Sequence, residues 1–250
     1  MILKSLSTGS QGNCYLLISE TGTLVIEAGV PFAQVKREMD FDISPIKSVI
    51  ISHSHKDHSG YMKEFLAAGI PVYSSIDVFS CFPDLKKYSP WQRVITDENA
   101  YMIGEFKVLA FEVEHDVPTL GFLISHPESG NILFLTDTYT CGYTFKNLNH
   151  VIIEANYSDK ILEENVINGS VPASMRQRLM FSHFEIGKCL FYLHSLDMSN
   201  VANIVLIHLS DSNSNEQEFL SSVKEEFPQI NCAIPGKNKV MLLDMNNQPY

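Results

Sequence analysis

The stretch SHSHKDHSGY, residues 52 to 61, sets His53, His55, Asp57 and His58 directly behind the apolar, strand-like run Lys47–Ile51. In extended backbone, residues two apart point to the same side, so His53, His55 and Asp57 can converge while His58 opens a following helix. Four ligand-type groups then meet in one place. Neutral imidazoles with a carboxylate suit zinc or another first-row ion, and their mixture over so short a span fits two adjacent ions better than one closed structural site. A histidine-rich surface loop is the plain alternative.

The rest of the chain narrows the class. It has 250 residues, 45% of them hydrophobic, and a formal net charge of −11. That charge argues against adhesion to nucleic acid or an anionic membrane through a general basic surface, although a local basic groove stays open. The five cysteines (Cys14, Cys81, Cys141, Cys189 and Cys232) are odd in number, widely spaced and never in a C-x-x-C pair. They fit neither a disulfide framework nor a zinc knuckle and read as buried reduced thiols. The N-terminal sequence lacks the basic flank and long apolar stretch of a signal peptide, and no apolar run approaches spanning length, so the expectation is a cytoplasmic protein with no membrane partner.

Working outward from residue 52, short strand-like runs separated by turn residues are predicted at 14–18, 23–27, 48–51, 72–74, 106–112, 121–125 and 131–136. Helices are expected from Pro31 to Met39 and from Tyr61 to a terminal Gly69. The second half repeats the outline: a strand at 151–155, helical segments across 158–197, a strand at 203–207, a helix at 215–227 and closing strands near Cys232 and at 240–244. With no low-complexity linker, residues 1–250 read as one layered α/β sandwich whose active face lies at a sheet edge.

Further ligand-type residues stand at strand ends: His115 after 111–114, Asp137 after 132–136, and His208 after 204–207. Alone, a strand-end His or Asp is more often a turn or capping residue. Their shared position carries the signal. His126, His150 and His194 lack it and are read as surface or core histidines.

The pattern His53-x-His55-x-Asp57-His58, followed by His115, Asp137 and His208, resembles the metallo-β-lactamase superfamily. The pieces STGSQGNCYLL, VIEAGV, EHDVPTLGF, FLTDT, IIEANYS and HLSDSN are similar to its WalJ (YycJ)-like nuclease branch, related in chemistry to tRNase Z. The resemblance implies a four-layer αββα sandwich holding two zinc ions, with manganese in some relatives. It assigns His53, His55 and His115 to one ion, Asp57, His58 and His208 to the other, and Asp137 to the bridge between them. Asp57, Asp137 and His183 are the catalytic candidates it implies. His183, in FSHFEIG, would help the leaving oxygen accept a proton, with Glu185 placed to orient it; a helix-terminus histidine is the alternative.

Two departures and one small motif stand out. Glu27 stands where the family commonly has Asp, as a supporting carboxylate or a turn residue. The loop Gly9–Asn13 is open to two readings, a nest of N–H groups near a phosphate or a hairpin turn. Ser210 and Asn213 keep part of the branch's H-L-S-x-x-N-N stretch, while Ser214 replaces its last Asn.

The reading that follows is a dinuclear metal phosphodiesterase, nuclease-like, with nucleic acid or a nucleotide as substrate. Hydrolysis of small or cyclic nucleotides is the nearest alternative, followed by a glyoxalase II-like thioesterase or lactamase, and a metal-stabilised binding module without turnover. Assembly as a monomer or homodimer is left open.

Overall fold

The computed structural model describes residues 1–236 and 241–246. A first sheet is built from β1 (Ile2–Ser7), β2 (Cys14–Ile18), β3 (Thr23–Ile26), β4 (Ile46–Ile50), β5 (Val72–Ser74) and β6 (Gln92–Val94). The second contains β7 (Ala100–Ile103), β8 (Phe106–Val113), β9 (Thr119–His126), β10 (Gly130–Leu135), β11 (His150–Glu154), β12 (Asn203–Ile207) and β13 (Asn231–Ala233). The last strand, β14 (Met241–Asp244), returns to pair antiparallel with β1, giving the orders β14-β1-β2-β3-β4-β5-β6 and β13-β12-β11-β10-β9-β8-β7. Each sheet is antiparallel on one side, and parallel from β3 to β6 or from β10 to β13.

Alternation along the strands makes the layers. Leu24 and Ile26 of β3, Phe122 and Ile124 of β9, and Val205 and Ile207 of β12 share one core between the sheets. Their neighbours point the other way: Val25 and Val49 pack with Val35, Phe65 and Leu66 of the helices on the first sheet, and Ile204 and Leu206 with Leu193, Phe219 and Val223 on the second. Those helices are α1 (Phe32–Glu38), α2 (Lys56–Ser59), α3 (Met62–Ala67) and α4 (Ile76–Ser80) in the first half. The second half supplies α5 (Asp159–Ile167), α6 (Ala173–Met180), α7 (Ile186–Ser195) and α8 (Glu216–Glu226). The order of layers is therefore αββα, as expected. Strands such as β12, buried at every residue, read as unbroken apolar runs because both their faces are covered.

Several expectations need correction. β1, β6 and β7 were not foreseen, since they are short or carry polar residues that propensity does not mark. The helical segments expected across 158–197 are there, as three helices separated before Pro172, which stands at the N-cap of α6, and again at 181–185. The described part of the closing strand is Met241–Asp244, and Val240 of the expected strand lies outside the described residues. All five cysteines are free, but Cys81 is exposed and Cys141 half-buried. No helix among the described residues is long and apolar enough to cross a membrane.

Candidate metal centre

The strands of both sheets end at one edge, and their first post-strand residues make the site. Glu27 follows β3, His53 to His58 follow β4, His115 follows β8, Asp137 follows β10, and His208 follows β12; Glu154 is the last residue of β11. Three of these hold left-handed backbone without being glycine: Glu27 at φ 68°, Asp137 at φ 44° and His208 at φ 55°. Such dihedrals cost about 1–3 kcal/mol each and persist only where surroundings impose them. Here they turn a side chain at a strand end into the cleft between the sheets.

The seven expected residues come together. His53, His55, His115 and Asp137 each offer a ligand atom within 4.8 Å of the others, and Asp57, His58, Asp137 and His208 do the same. Asp137 belongs to both groups. Its Oδ2 lies 3.7 Å from His53 Nε2 and 3.8 Å from His115 Nε2, while Oδ1 lies 3.3 Å from His58 Nε2. One carboxylate thus faces two clusters with different oxygens. His126, His150 and His194 lie elsewhere, the first two buried and His194 exposed beside Glu226.

The donor chemistry fits a cation. His53 is fully buried and its Nε2 has no hydrogen-bond partner, a costly condition for an imidazole unless the lone pair has a use. Burial holds His53 well below the usual histidine range, with the neighbouring His58 adding to the effect. His115 Nδ1 donates to the Ser182 carbonyl at 2.7 Å, which leaves Nε2 with a lone pair toward the site. On the other side, burial opposes charge on His58 and His208, but Asp137 and nearby carboxylates outweigh it, raising His58 well above its ordinary value and His208 to about 10. Burial likewise opposes ionisation of Asp57, yet hydrogen bonds from His208 and His58 keep its carboxyl strongly acidic. A potential negative enough to hold protons on two buried imidazoles also draws a divalent cation.

Supporting residues complete the site. Glu27 is fully buried, with Oε1 3.6 Å from His58 Nδ1 and 3.3 Å from the Ser52 N–H that donates to it. The Gly9–Asn13 loop is the hairpin turn between β1 and β2. Three of its N–H groups are already engaged: Gly9 donates to Asn13 Oδ1, Gly12 to the Gly9 carbonyl and Asn13 to the Asp57 carbonyl, so the loop fastens the metal segment instead of cradling a phosphate. Gly29 permits that approach, since a Cβ there would meet the Asp57 carbonyl oxygen at 1.7 Å. The Asn213 N–H and side-chain amide approach Ser210 Oγ, folding the segment after His208 back on itself.

His183 lies between α6 and α7, and its orienting carboxylate is Glu154, not Glu185. His183 Nδ1 donates to Glu154 Oε1 at 2.7 Å, while Glu185 caps α7 by accepting from the Lys188 N–H. Glu154 is fully buried; Oε1 also takes His208 Nδ1 at 2.8 Å, and Oε2 takes the N–H groups of Thr138 and Phe184, both at 3.1 Å. Burial disfavours charge on His183, but Glu154 more than compensates and its pKa is raised. Sequence reasoning missed Glu154 as a site residue, although IIEANYS ends a strand with the same signal as His208. Asp116 was missed too: its Oδ1 is 3.0 Å from His115 Nε2 and 3.3 Å from His55 Nε2.

The model of the metallo-beta-lactamase superfamily matches residues 7–139, which is just over half the chain and includes six of the seven clustered ligand-type residues. The chain belongs to the metallo-beta-lactamase superfamily. Within this superfamily it is similar to the exodeoxyribonuclease WalJ of Streptococcus pneumoniae, at 23% identity over 190 residues, covering 70% of this chain and 68% of the relative. It is also similar to the ribonuclease Z of Methanopyrus kandleri, at 26% identity over 130 residues, 45% of this chain and 44% of that protein. In structure it superposes on the short form of human tRNase Z with a TM-score of 0.66 and 15% identity, over 98% of this chain and 99% of the other. The last likeness concerns the fold.

Proposed function

We propose that the chain is a divalent-metal-dependent phosphodiesterase of nuclease type, with residues 1–250 working as one cytoplasmic domain. The observation that carries the reading is Asp137, a buried carboxylate shared by two groups of ligand-type side chains. His53, His55 and His115 would hold one ion, Asp57, His58 and His208 the second, and Asp137 both. Zinc suits the histidine-rich set, and manganese the carboxylates. Ions held there would supply an activated water near neutral pH and neutralise charge on the phosphodiester oxygens.

The protein's own groups do the rest. Both sheets contribute to one cluster, which supports treating the chain as a single unit. Glu154 fixes the rings of His183 and His208 by accepting hydrogen bonds from their Nδ1–H groups, leaving Nε2 of His208 as a ligand atom. His183, whose pKa Glu154 raises against the effect of burial, has Nε2 left to give a proton to the departing oxygen. Asp57, partly exposed and held as a carboxylate, would accept a hydrogen bond from the attacking water and orient it while holding its ion. The similarity to WalJ and ribonuclease Z favours nucleic acid as the substrate class, and the −11 charge keeps small nucleotide phosphodiesters as the second reading.

The test is purified protein loaded with zinc or manganese and offered single-stranded DNA, duplex DNA, RNA, cyclic nucleotides, an acyl thioester and a cephalosporin side by side. Cleavage of a phosphodiester is expected. Turnover of the thioester or lactam alone would overturn the reading.

A further inference from the structure

A cavity of about 520 Å³ opens beside the metal centre, walled by Glu114, His115 and Asp116 on one side and by Tyr139, Arg178 and Phe181 on another. Its size falls in the range of small-molecule and nucleotide sites. It shares the His115 wall with the ligand cluster, and the Ser182 carbonyl that fixes His115 is also part of the lining.

Two features on this wall are not used by the chemistry above. The first is aromatic: Phe181 is 58% exposed, immediately after α6, and its ring meets Tyr139 edge-on with centroids 6.0 Å apart and planes at 81°. A large apolar ring left in water at a cleft mouth is costly, and the perpendicular contact with Tyr139 props it in place while more than half of it stays exposed. The second is charge. α6, ASMRQRLM, buries none of its residues and carries Arg176 and Arg178 with no carboxylate, in a chain of net charge −11. Arg178 Nη2 reaches Asp116 Oδ2 at 3.2 Å, and Asp116 Oδ1 in turn reaches His115 Nε2 at 3.0 Å. The guanidinium is thereby stationed one carboxylate away from a ligand-type imidazole, with most of its five N–H donors still available.

We propose that this cavity is the subsite for one unpaired nucleotide next to the scissile phosphate of a single-stranded nucleic acid. Its base stacks on the Phe181 face, and Arg178, oriented by Asp116, takes a backbone phosphate. Stacking on an aromatic face needs a base freed from a duplex, so the subsite selects single strands or frayed ends. Glu114, on the same cavity wall, accepts a hydrogen bond from an exocyclic amine, whereas a phosphate is drawn to the α6 side. The inference rests on the phosphodiesterase reading and adds the strandedness of the substrate and the residues that read it.

Binding separates the two. Fluorescence anisotropy with a metal-loaded protein and a single-stranded oligonucleotide of about 12 nucleotides, made with phosphorothioate linkages to suppress cleavage, measures Kd. Phe181→Ala should weaken binding by about 5- to 150-fold, the span of one lost base–aromatic stack, while Phe181→Tyr should restore it. In a series of probes each lacking one base, one position should lose the same factor with the wild-type protein and nothing further with Phe181→Ala. Arg178→Ala should reduce the slope of log K against log salt by about 0.7, one phosphate contact to a single strand. A blunt duplex should bind weakly, and matched DNA and RNA probes identify which strand fills the cavity. Binding of Phe181→Ala within twofold of wild type, in a variant that melts normally, would overturn the subsite, as would losses that add at every abasic position. If the wild type cleaves its strand and only the subsite test fails, the phosphodiesterase reading stands; if the wild type neither binds nor cleaves any strand, both fall.

Discussion

Replacing Glu154 by Gln keeps the shape of a fully buried side chain and changes what its two ends can do. The carboxylate accepts four hydrogen bonds, from His183 Nδ1 and His208 Nδ1 at one oxygen and from the Thr138 and Phe184 N–H groups at the other. An amide has one accepting end. If its oxygen faces the histidines, its NH₂ confronts two backbone N–H groups and orphans them, at about 1–3 kcal/mol each and so about 2–6 kcal/mol together. If the NH₂ faces the histidines, both rings must accept at Nδ1 and carry their proton on Nε2. His208 then has no lone pair for an ion. Either arrangement damages a different quantity, and two assays tell them apart. Thermal melting with the metal chelated should show a fall of roughly 5 to 20 °C for the first, at about 2–4 °C per kcal/mol for a chain of this size. Metal titration by calorimetry should show the second as an affinity loss of about 10- to 100-fold, the usual effect of removing a ligand's orienting partner. Glu154→Asp keeps the charge but falls a methylene short of the rings, and should fall between. A Glu154→Gln protein that melts within a degree of wild type and binds metal equally well would refute the reasoning, because no arrangement of an amide satisfies all four donors.

Other outcomes follow from the same geometry. Asp137→Ala should abolish phosphodiester hydrolysis and lower bound metal in elemental analysis, whereas His126→Ala, buried against Phe106 far from the cluster, should do neither. His183→Ala should keep its metal and lose about 10²- to 10⁴-fold in turnover of an oligonucleotide, with a smaller loss on bis(p-nitrophenyl) phosphate, whose leaving group needs no proton; equal losses would count against the donor role. Gly29→Ala would drive a Cβ into the Asp57 carbonyl oxygen and the Asn13 nitrogen, and should cost about 1–3 kcal/mol or more in urea unfolding. His150, fully buried, has its pKa pushed down to about 4 by burial, which outweighs the favourable contacts with the Met245 and Ser129 backbone. Below pH 6.5 the unfolded chain takes up a proton that the folded one refuses, so stability should drop as pH falls from about 6.5 toward 4, by up to about 3 kcal/mol. The difference between wild type and His150→Gln in urea melts across that range isolates the effect, and a constant difference would exclude it.

The sequence by itself determined which ligand-type residues meet through a local relation. His53, His55, Asp57 and His58 sit at spacings that a strand end and the first turn of a helix convert directly into one cluster, and β12 announces itself by an apolar run that a doubly covered strand requires. His115, Asp137 and His208 were legible as strand-end residues because each follows a strong strand. What the sequence could not decide was which groups meet across the two sheets. Glu185, two residues from His183, looks like its partner, but α7 begins at Ile186 and Glu185 is used as its cap, while the strand register of β11 beside β10 and β12 delivers Glu154 from 29 positions away. The Gly9–Asn13 loop has the composition of a phosphate nest, yet three of its N–H groups are taken by Asn13 Oδ1 and the Gly9 and Asp57 carbonyls once β1 and β2 pair. Asp116, Arg178 and Phe181 become a cavity wall only when α6 lies over the end of β8. Spacing fixes direction within one element, because the backbone period is the same everywhere. Contact between elements depends on register, crossover and layer order, and those are settled by the packing of the whole core.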